Sequence, residues 1–295
     1  LPAPTNLTGT AGDRQVTLNW NAVTGAASYA VYQYEGTAAP TDPSQWVLLK
    51  ADVTSTSYTV TGLTNRTTYA FAVTASNADG TSGYSVAATA TPGGKGTKEE
   101  PYIVTDAQRL NEVRQDLDAY YVLWSDIDLS GFGNWMPIGM YTGPFNGHVD
   151  GNGHTISGLK VTNSMSGQGG LFGTIGSGGK VQNLVLSNVD ISMPEAIGPV
   201  GALAGRLEGE AVNIRVSGGT VKGHSSVGGL VGETDNDAVI TASCADVNVA
   251  GNNFYAGGLV GYLEKASVNA SCSTGAVSGD WYVGGLAGDI VDSPI

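Results

Sequence analysis

Five times between residues 169 and 288 the chain returns to one short phrase. Gly169-Gly170-Leu171-Phe172-Gly173 is followed by Gly201-Ala202-Leu203-Ala204-Gly205, Gly228-Gly229-Leu230-Val231-Gly232, Gly257-Gly258-Leu259-Val260-Gly261 and Gly284-Gly285-Leu286-Ala287-Gly288. The starts lie 32, 27, 29 and 27 residues apart. A period in this range means a stacked array in which each unit buries its apolar edge only against its neighbours. Helical repeats are excluded, because glycine at this density destabilises helices. Within one unit we expect three short strands: the motif itself, a second at residues 268–272 and a third at 276–278. Three strands per coil describe a right-handed parallel β-helix, with glycine where the chain turns sharply or packs closely on the coil below.

The whole composition agrees. Of 295 residues 44 are glycine, about twice the usual share, and charged residues make up 13 % where about 25 % is typical. The hydrophobic fraction of 41 % argues against disorder. Thirteen basic against 26 acidic residues give a net charge of −13, which disfavours nucleic acid and anionic membrane surfaces as partners. No apolar run is long enough to span a bilayer. The sequence opens at Leu1-Pro2-Ala3-Pro4, so a secretion signal is expected to have been removed or never included.

The amino-terminal residues follow a different rhythm. Val16, Leu18 and Trp20 share one strand face, Tyr29 to Tyr34 continues as the next strand, and Asn77-Ala78-Asp79-Gly80 supplies a hairpin turn. Leu63 and Tyr69 look like the corner where a tyrosine hydroxyl ties a strand to its preceding loop. With the early Pro4-to-Leu7 segment, Trp20, Tyr32 and the Asn77-to-Ser82 ending, residues 1–92 resemble a fibronectin type III domain. The resemblance implies a spacer or binding module without chemistry of its own. No Arg-Gly-Asp loop is present to support integrin-type adhesion. Residues 93–101, glycine-rich and charged, are expected to be a solvated linker.

The second domain then covers 102–295. Thr105-Asp106-Ala107-Gln108 reads as a capping box, and Leu110, Val113 and Leu117 at helical spacing predict an amphipathic helix over 106–117 that caps the first coil. The sequence stops at Ile295, seven residues past the last repeat, so the array is expected to be a fragment truncated at its carboxyl end. Asp126-Ile127-Asp128-Leu129, Trp135-x-Pro137-Ile138-Gly139, Phe145-x-Gly147 and Asp150-Gly151-Asn152-Gly153-His154-Thr155-Ile156 precede the pentapeptides. Together with them they resemble the GLUG-repeat β-helices of bacterial surface and secreted proteins, including the region ahead of the catalytic domain in immunoglobulin A1 metallopeptidases. The fold class is therefore all-β: a fibronectin type III sandwich followed by a right-handed parallel β-helix with an amino-terminal capping helix.

The residues offer little chemistry. His148, His154 and His224 lack the His-Glu-x-x-His spacing of a zinc hydrolase, and no Gly-x-Ser-x-Gly elbow occurs. No catalytic residue is assigned, and the chain leans toward a non-enzyme. Asp126 and Asp128 could form an acid–base pair but equally line the wet face of a strand. Asp150-Gly151-Asn152-Gly153 reads as a tight turn rather than a calcium loop. Glu233, Asp235 and Asp237 are the better candidates for a calcium ion, against the alternative of a solvated loop. No other cofactor is expected. Cys244 and Cys272 each precede a glycine by seven residues, as Val216 does, which predicts an inward column of free, stacked thiols rather than a disulfide.

Phe254-Tyr255 and Trp281-Tyr282 stand just before the pentapeptide in successive coils, where an earlier coil has Ser225-Ser226. They form either a packing ladder or a rim that binds the faces of sugars. In the second case Tyr255 and Tyr282 are expected outside and Phe254 and Trp281 inside, since adjacent residues of a strand point oppositely. No repeated Thr-x-Thr face supports ice binding. The function expected is a non-catalytic spacer or binding segment of a large secreted or cell-surface bacterial protein, monomeric as a fragment, with a polysaccharide or host-surface ligand as partner. The alternative is the non-catalytic portion of a carbohydrate-active enzyme or metallopeptidase.

Overall fold

The computed structural model describes residues 1–140, 143–162, 167–195 and 197–294, in two compact units, 1–103 and 104–295. Ile295, where the array was expected to break off, lies outside the described residues.

In the first unit, antiparallel strands Thr8–Gly12, Gln15–Asn19 and Ser57–Thr61 form one sheet. The second sheet centres on Ser28–Glu35 and Tyr69–Asn77, flanked by Val47–Val53, Gly80–Thr81 and Ala88–Ala90. Alternation sends Val16 and Leu18 inward from one sheet, and Tyr29, Val31, Phe71 and Val73 from the other, around Trp20 and Leu63. Trp20 and Tyr29 meet edge to face, 5.5 Å between centroids. The expected tyrosine corner is present, with the Thr64 backbone N–H donating to the Tyr69 hydroxyl at 3.2 Å. Asn77 pairs with Gly80 across a two-residue turn, and Asn77 Oδ1 accepts from the Asp79 backbone N–H.

Residues 93–101, expected as a solvated linker, are anchored at their start, while Lys95, Thr97, Lys98 and Glu99 are exposed. Gly93 and Gly94 are buried, and the Gly93 N–H donates to the Gly12 carbonyl. Lys95 and Glu100 close the turn, both by backbone hydrogen bonding and by an ion pair at 2.9 Å. Two glycines at positive φ (76° and 84°) let the chain fold back, which composition alone reads as flexibility.

The second unit opens with helix Ala107–Glu112, continued by one 3₁₀ turn, Val113–Gln115. Asp106, rather than Thr105, is the N-cap, and its carboxylate accepts from the Arg109 backbone N–H at 2.8 Å. Leu110 and Val113 are buried as expected. The helix stops short of residue 117 because Asp116 is extended and its carbonyl takes the Tyr121 hydroxyl at 2.7 Å.

The coils that follow are a parallel β-solenoid. Each is bonded in register to the next, as in Lys180–Met193 on Glu210–Gly223. The pentapeptide is a corner and not the single strand expected of it. Its first glycine ends a strand of one sheet (Val200–Gly201, Ser226–Gly228, Tyr255–Gly257, Val283–Gly284). Its fourth residue belongs to a strand of the next sheet (Phe172–Ile175, Ala204–Leu207, Val231–Thr234, Val260–Glu264, Ala287–Val291). The leucine between them points inward, and Leu171, Leu203, Leu230 and Leu259 are fully buried. The first glycine is required by close approach. A Cβ on Gly228 would run into the Val231 carbonyl oxygen of its own coil and come within 2.7 Å of the Gly261 nitrogen of the next.

Corners elsewhere are set by asparagine. Asn183 and Asn213, at φ 53° and 54°, bend the two 14-residue strands, a conformation asparagine tolerates better than most residues. Their side chains continue from coil to coil: Asn213 Nδ2 donates to Asn183 Oδ1 at 2.9 Å, and Asn183 Nδ2 to Asp150 Oδ1 at 3.1 Å. At the amino-terminal coils Trp135, Ile138, Phe145 and Phe172 fill the interior, with the Trp135 indole N–H donating to the Leu171 carbonyl.

Candidate functional site

The aromatic rim lies where two sheets of the solenoid meet. Ser226 and Tyr255 are partners in adjacent coils, and Ala256, buried, turns Tyr255 outward. The Tyr255 ring lies 5.3 Å from Tyr282, 4.8 Å from Tyr262 and 6.1 Å from Phe254. Phe254, Trp281 and Tyr282 are 49 %, 64 % and 57 % exposed, while Tyr255 is half-buried among its neighbours. Phe254 and Trp281 therefore do not turn inward as strand alternation suggested. They precede the strands Tyr255–Gly257 and Val283–Gly284, in loop backbone where the two-residue period does not apply. Tyr282 sits at φ 32°, which is unusual for a bulky side chain.

Tyr262 was not singled out from the sequence. It follows the Gly257–Gly261 pentapeptide directly, at the position that Arg206, Glu233 and Asp289 occupy in other coils. The signal was the column rather than the residue type, since no aromatic repeats there. Burial, with the negative charges of Glu264, Asp289 and Glu233 and the neighbouring Tyr255, pushes the Tyr262 hydroxyl up from its ordinary value. The hydroxyls of Tyr255, Tyr262 and Tyr282 donate to no other described residue.

Glu233 is engaged within the protein. It receives the Arg206 guanidinium at 2.8 Å and the Ser226 hydroxyl at 3.1 Å, and Asp235 lies 3.9 Å from the same guanidinium. Asp237 lies in the adjoining turn at φ 62°. Among the described residues no group of three or more His, Cys, Asp or Glu side chains is placed to hold a metal ion.

The other candidates have structural tasks. Asp126 accepts from the Thr155 backbone N–H at 2.9 Å and lies 3.1 Å from His154 Nδ1, and these bonds hold its carboxyl below the usual carboxylate range. The Ser130 backbone N–H does the same for Asp128. Carboxyls lowered in this way are poor proton donors near neutral pH. His148 stacks on Tyr120, centroids 4.4 Å apart and nearly parallel. Asp150-Gly151-Asn152-Gly153 is a tight turn, with Asn152 and Gly153 at positive φ and Asp150 Oδ1 accepting from the Asn152 backbone N–H.

Cys244 and Cys272 form a disulfide between adjacent coils, Cα to Cα 4.6 Å, which overturns the expectation of free thiols. Counting seven residues back from glycine put Cys244 in the inward column of Val216. The strand Glu210–Gly223 carries one more residue than its partner between Ser217 and Thr220, so Cys244 actually pairs with Arg215 on the outer face. A one-residue slip exchanges the faces of a strand.

The chain is thus a modular all-β protein, a fibronectin type III domain followed by a parallel β-solenoid. The family model for the fibronectin type III domain matches residues 2–91. A Gly-rich membrane protein of Evansella cellulosilytica is 39 % identical over 131 residues, covering 42 % of this chain and 15 % of the relative. Halomucin of Haloquadratum walsbyi is 35 % identical over 210 residues, covering 66 % of this chain and 2 % of the relative. Immunoglobulin A1 protease of Streptococcus pneumoniae is 29 % identical over 210 residues, covering 66 % of this chain and 10 % of the relative. The last two matches extend over more residues than the first unit contains, so both include part of the solenoid. The chain spans only a small part of each of these relatives.

Proposed function

We propose that this segment serves a secreted or cell-surface protein as a non-catalytic module that binds glycans through the rim of Phe254, Tyr255, Tyr262, Trp281 and Tyr282. The observation that carries the reading is the run of rings on adjacent coils, with Phe254, Trp281 and Tyr282 exposed and three tyrosine hydroxyls that donate to no other described residue. Exposed rings of this kind suit the apolar faces of pyranoses, and tyrosine adds a polar handle. Two further points support an extracellular setting. The Cys244–Cys272 bridge belongs to an oxidising compartment, and the relatives are large proteins that include a membrane protein and a mucin by name. The similarity to immunoglobulin A1 protease favours a second setting, in which the same module accompanies a peptidase domain.

Replacing Phe254, Trp281 and Tyr282 together by Ala tests the rim. Retention on a polysaccharide matrix in affinity electrophoresis should be lost, with a melting temperature within a few degrees of the parent. A parent protein retained by no member of a broad neutral, basic and acidic glycan panel would remove glycan binding and leave the spacer role.

A further inference from the structure

We infer that the rim is built for glycans carrying free ammonium groups, amino-sugar polymers rather than neutral or anionic ones; the inference rests on the glycan reading above. Glu233, Tyr262 and Asp289 are consecutive partners in parallel register, so their side chains stand on one face, neighbours about 4.8 Å apart. Glu264, two residues beyond Tyr262 in the same strand, adds a third carboxylate to that side of the rings.

Two of these three carboxylates are ion-paired, and Asp289 is the one left without a cation among the described residues. Arg206 is held by Glu233, with Asp235 alongside. Lys265, exposed, lies 3.6 Å from the half-buried Glu264. The Asp289 carboxylate accepts from the Ile290 backbone N–H at 2.9 Å and has no cationic side chain within ion-pair distance among the described residues. A sugar ring lying on Tyr255 and Tyr282 would therefore present its substituents toward carboxylates on one side. An ammonium there makes a charge-assisted hydrogen bond, an N-acetyl group forgoes it, and a uronate or sulfate is repelled. The net charge of −13 adds long-range attraction for a cationic polymer.

The test compares soluble glucosamine oligomers with free amines against their N-acetylated counterparts of equal length, by calorimetric titration of the intact chain. The free-amine form should bind on the order of tenfold more tightly at about 50 mM salt, and the margin should shrink by about 500 mM. Asp289→Asn combined with Glu264→Gln should erase the margin and leave N-acetylated binding unchanged. A matched control, Glu35→Gln with Asp79→Asn, removes two exposed charges from the first unit and should leave the margin intact. Equal binding of the two oligomers would overturn the inference while the glycan reading stood. Equal loss in the control would assign the preference to net charge and overturn it too. Binding of neither oligomer, with a neutral glycan retained, would refute the amino-sugar class alone. No glycan retained at all would refute both readings.

Discussion

The first unit gathers its apolar side chains at one place, where two sheets meet, and no part of that core is complete without both. The solenoid spreads its interior along columns: Val181, Ala211, Ile240 and Val268 follow one another coil by coil, each buried and paired in register with its neighbours in the adjacent coils. The difference teaches where cooperativity lies. A sandwich should open as a whole, while a stack should open in neighbouring coils.

The strongest way to break this comparison is a cavity in each unit. Phe71→Ala should cost about 3–5 kcal/mol and strip amide hydrogen-exchange protection from both sheets of the sandwich. Leu230→Ala, a fully buried corner leucine, should cost about 2–5 kcal/mol, with protection falling mainly in its own coil and the two that flank it. Uniform loss across the whole solenoid would mean that the stack is one cooperative body.

A smaller effect sharpens the contrast between long-range and local ties. Tyr69→Phe removes the acceptor of the Thr64 N–H and should cost about 1 kcal/mol, read from urea denaturation of the first unit alone. No measurable change would make the tyrosine corner a consequence of packing rather than a contributor to it.

The smallest effect concerns the polar column of the solenoid. Burial raises the pKa of Asp150, but hydrogen bonds from Gln182, Asn152 and Asn183 outweigh it and leave the carboxyl below its ordinary value. Its contribution is therefore present above the unfolded value of about 3.9 and is lost as pH falls toward the lower folded value. Thermal melts between pH 7 and pH 3 should show a steeper acid decline for the parent than for Asp150→Asn. Parallel declines would assign the acid sensitivity to other carboxylates.

Much of this architecture was legible in the residues. Trp20, Tyr69 and the turn at Asn77 carry enough local chemistry to define the sandwich, and five spaced pentapeptides announce a stack. What escaped was whatever depends on counting within a coil. Reading Gly-Gly-Leu-Val-Gly as one strand missed that its glycines and leucine serve a corner. Counting a fixed seven residues missed the additional residue at Gly218–Gly219, and with it the face on which Cys244 lies. Tyr262 was hidden for a related reason: its importance comes from Tyr255 across the corner of its own coil and from Asp289 in the next coil, not from a pattern along its own strand. Asn183 and Asn213, 30 residues apart, were a readable sign of coil corners that the glycine pattern overshadowed.

The bridge between Cys244 and Cys272 also bears on how such a module carries load. A stack pulled by its chain ends peels one turn at a time, each released turn lengthening the tether. The bridge closes a loop with a sequence separation of 28, so about 100 Å of chain stays out of reach of the force while it is intact. Under tension that part of the solenoid passes force from one turn to the next through a covalent bond, and the length released becomes a function of the redox state around it.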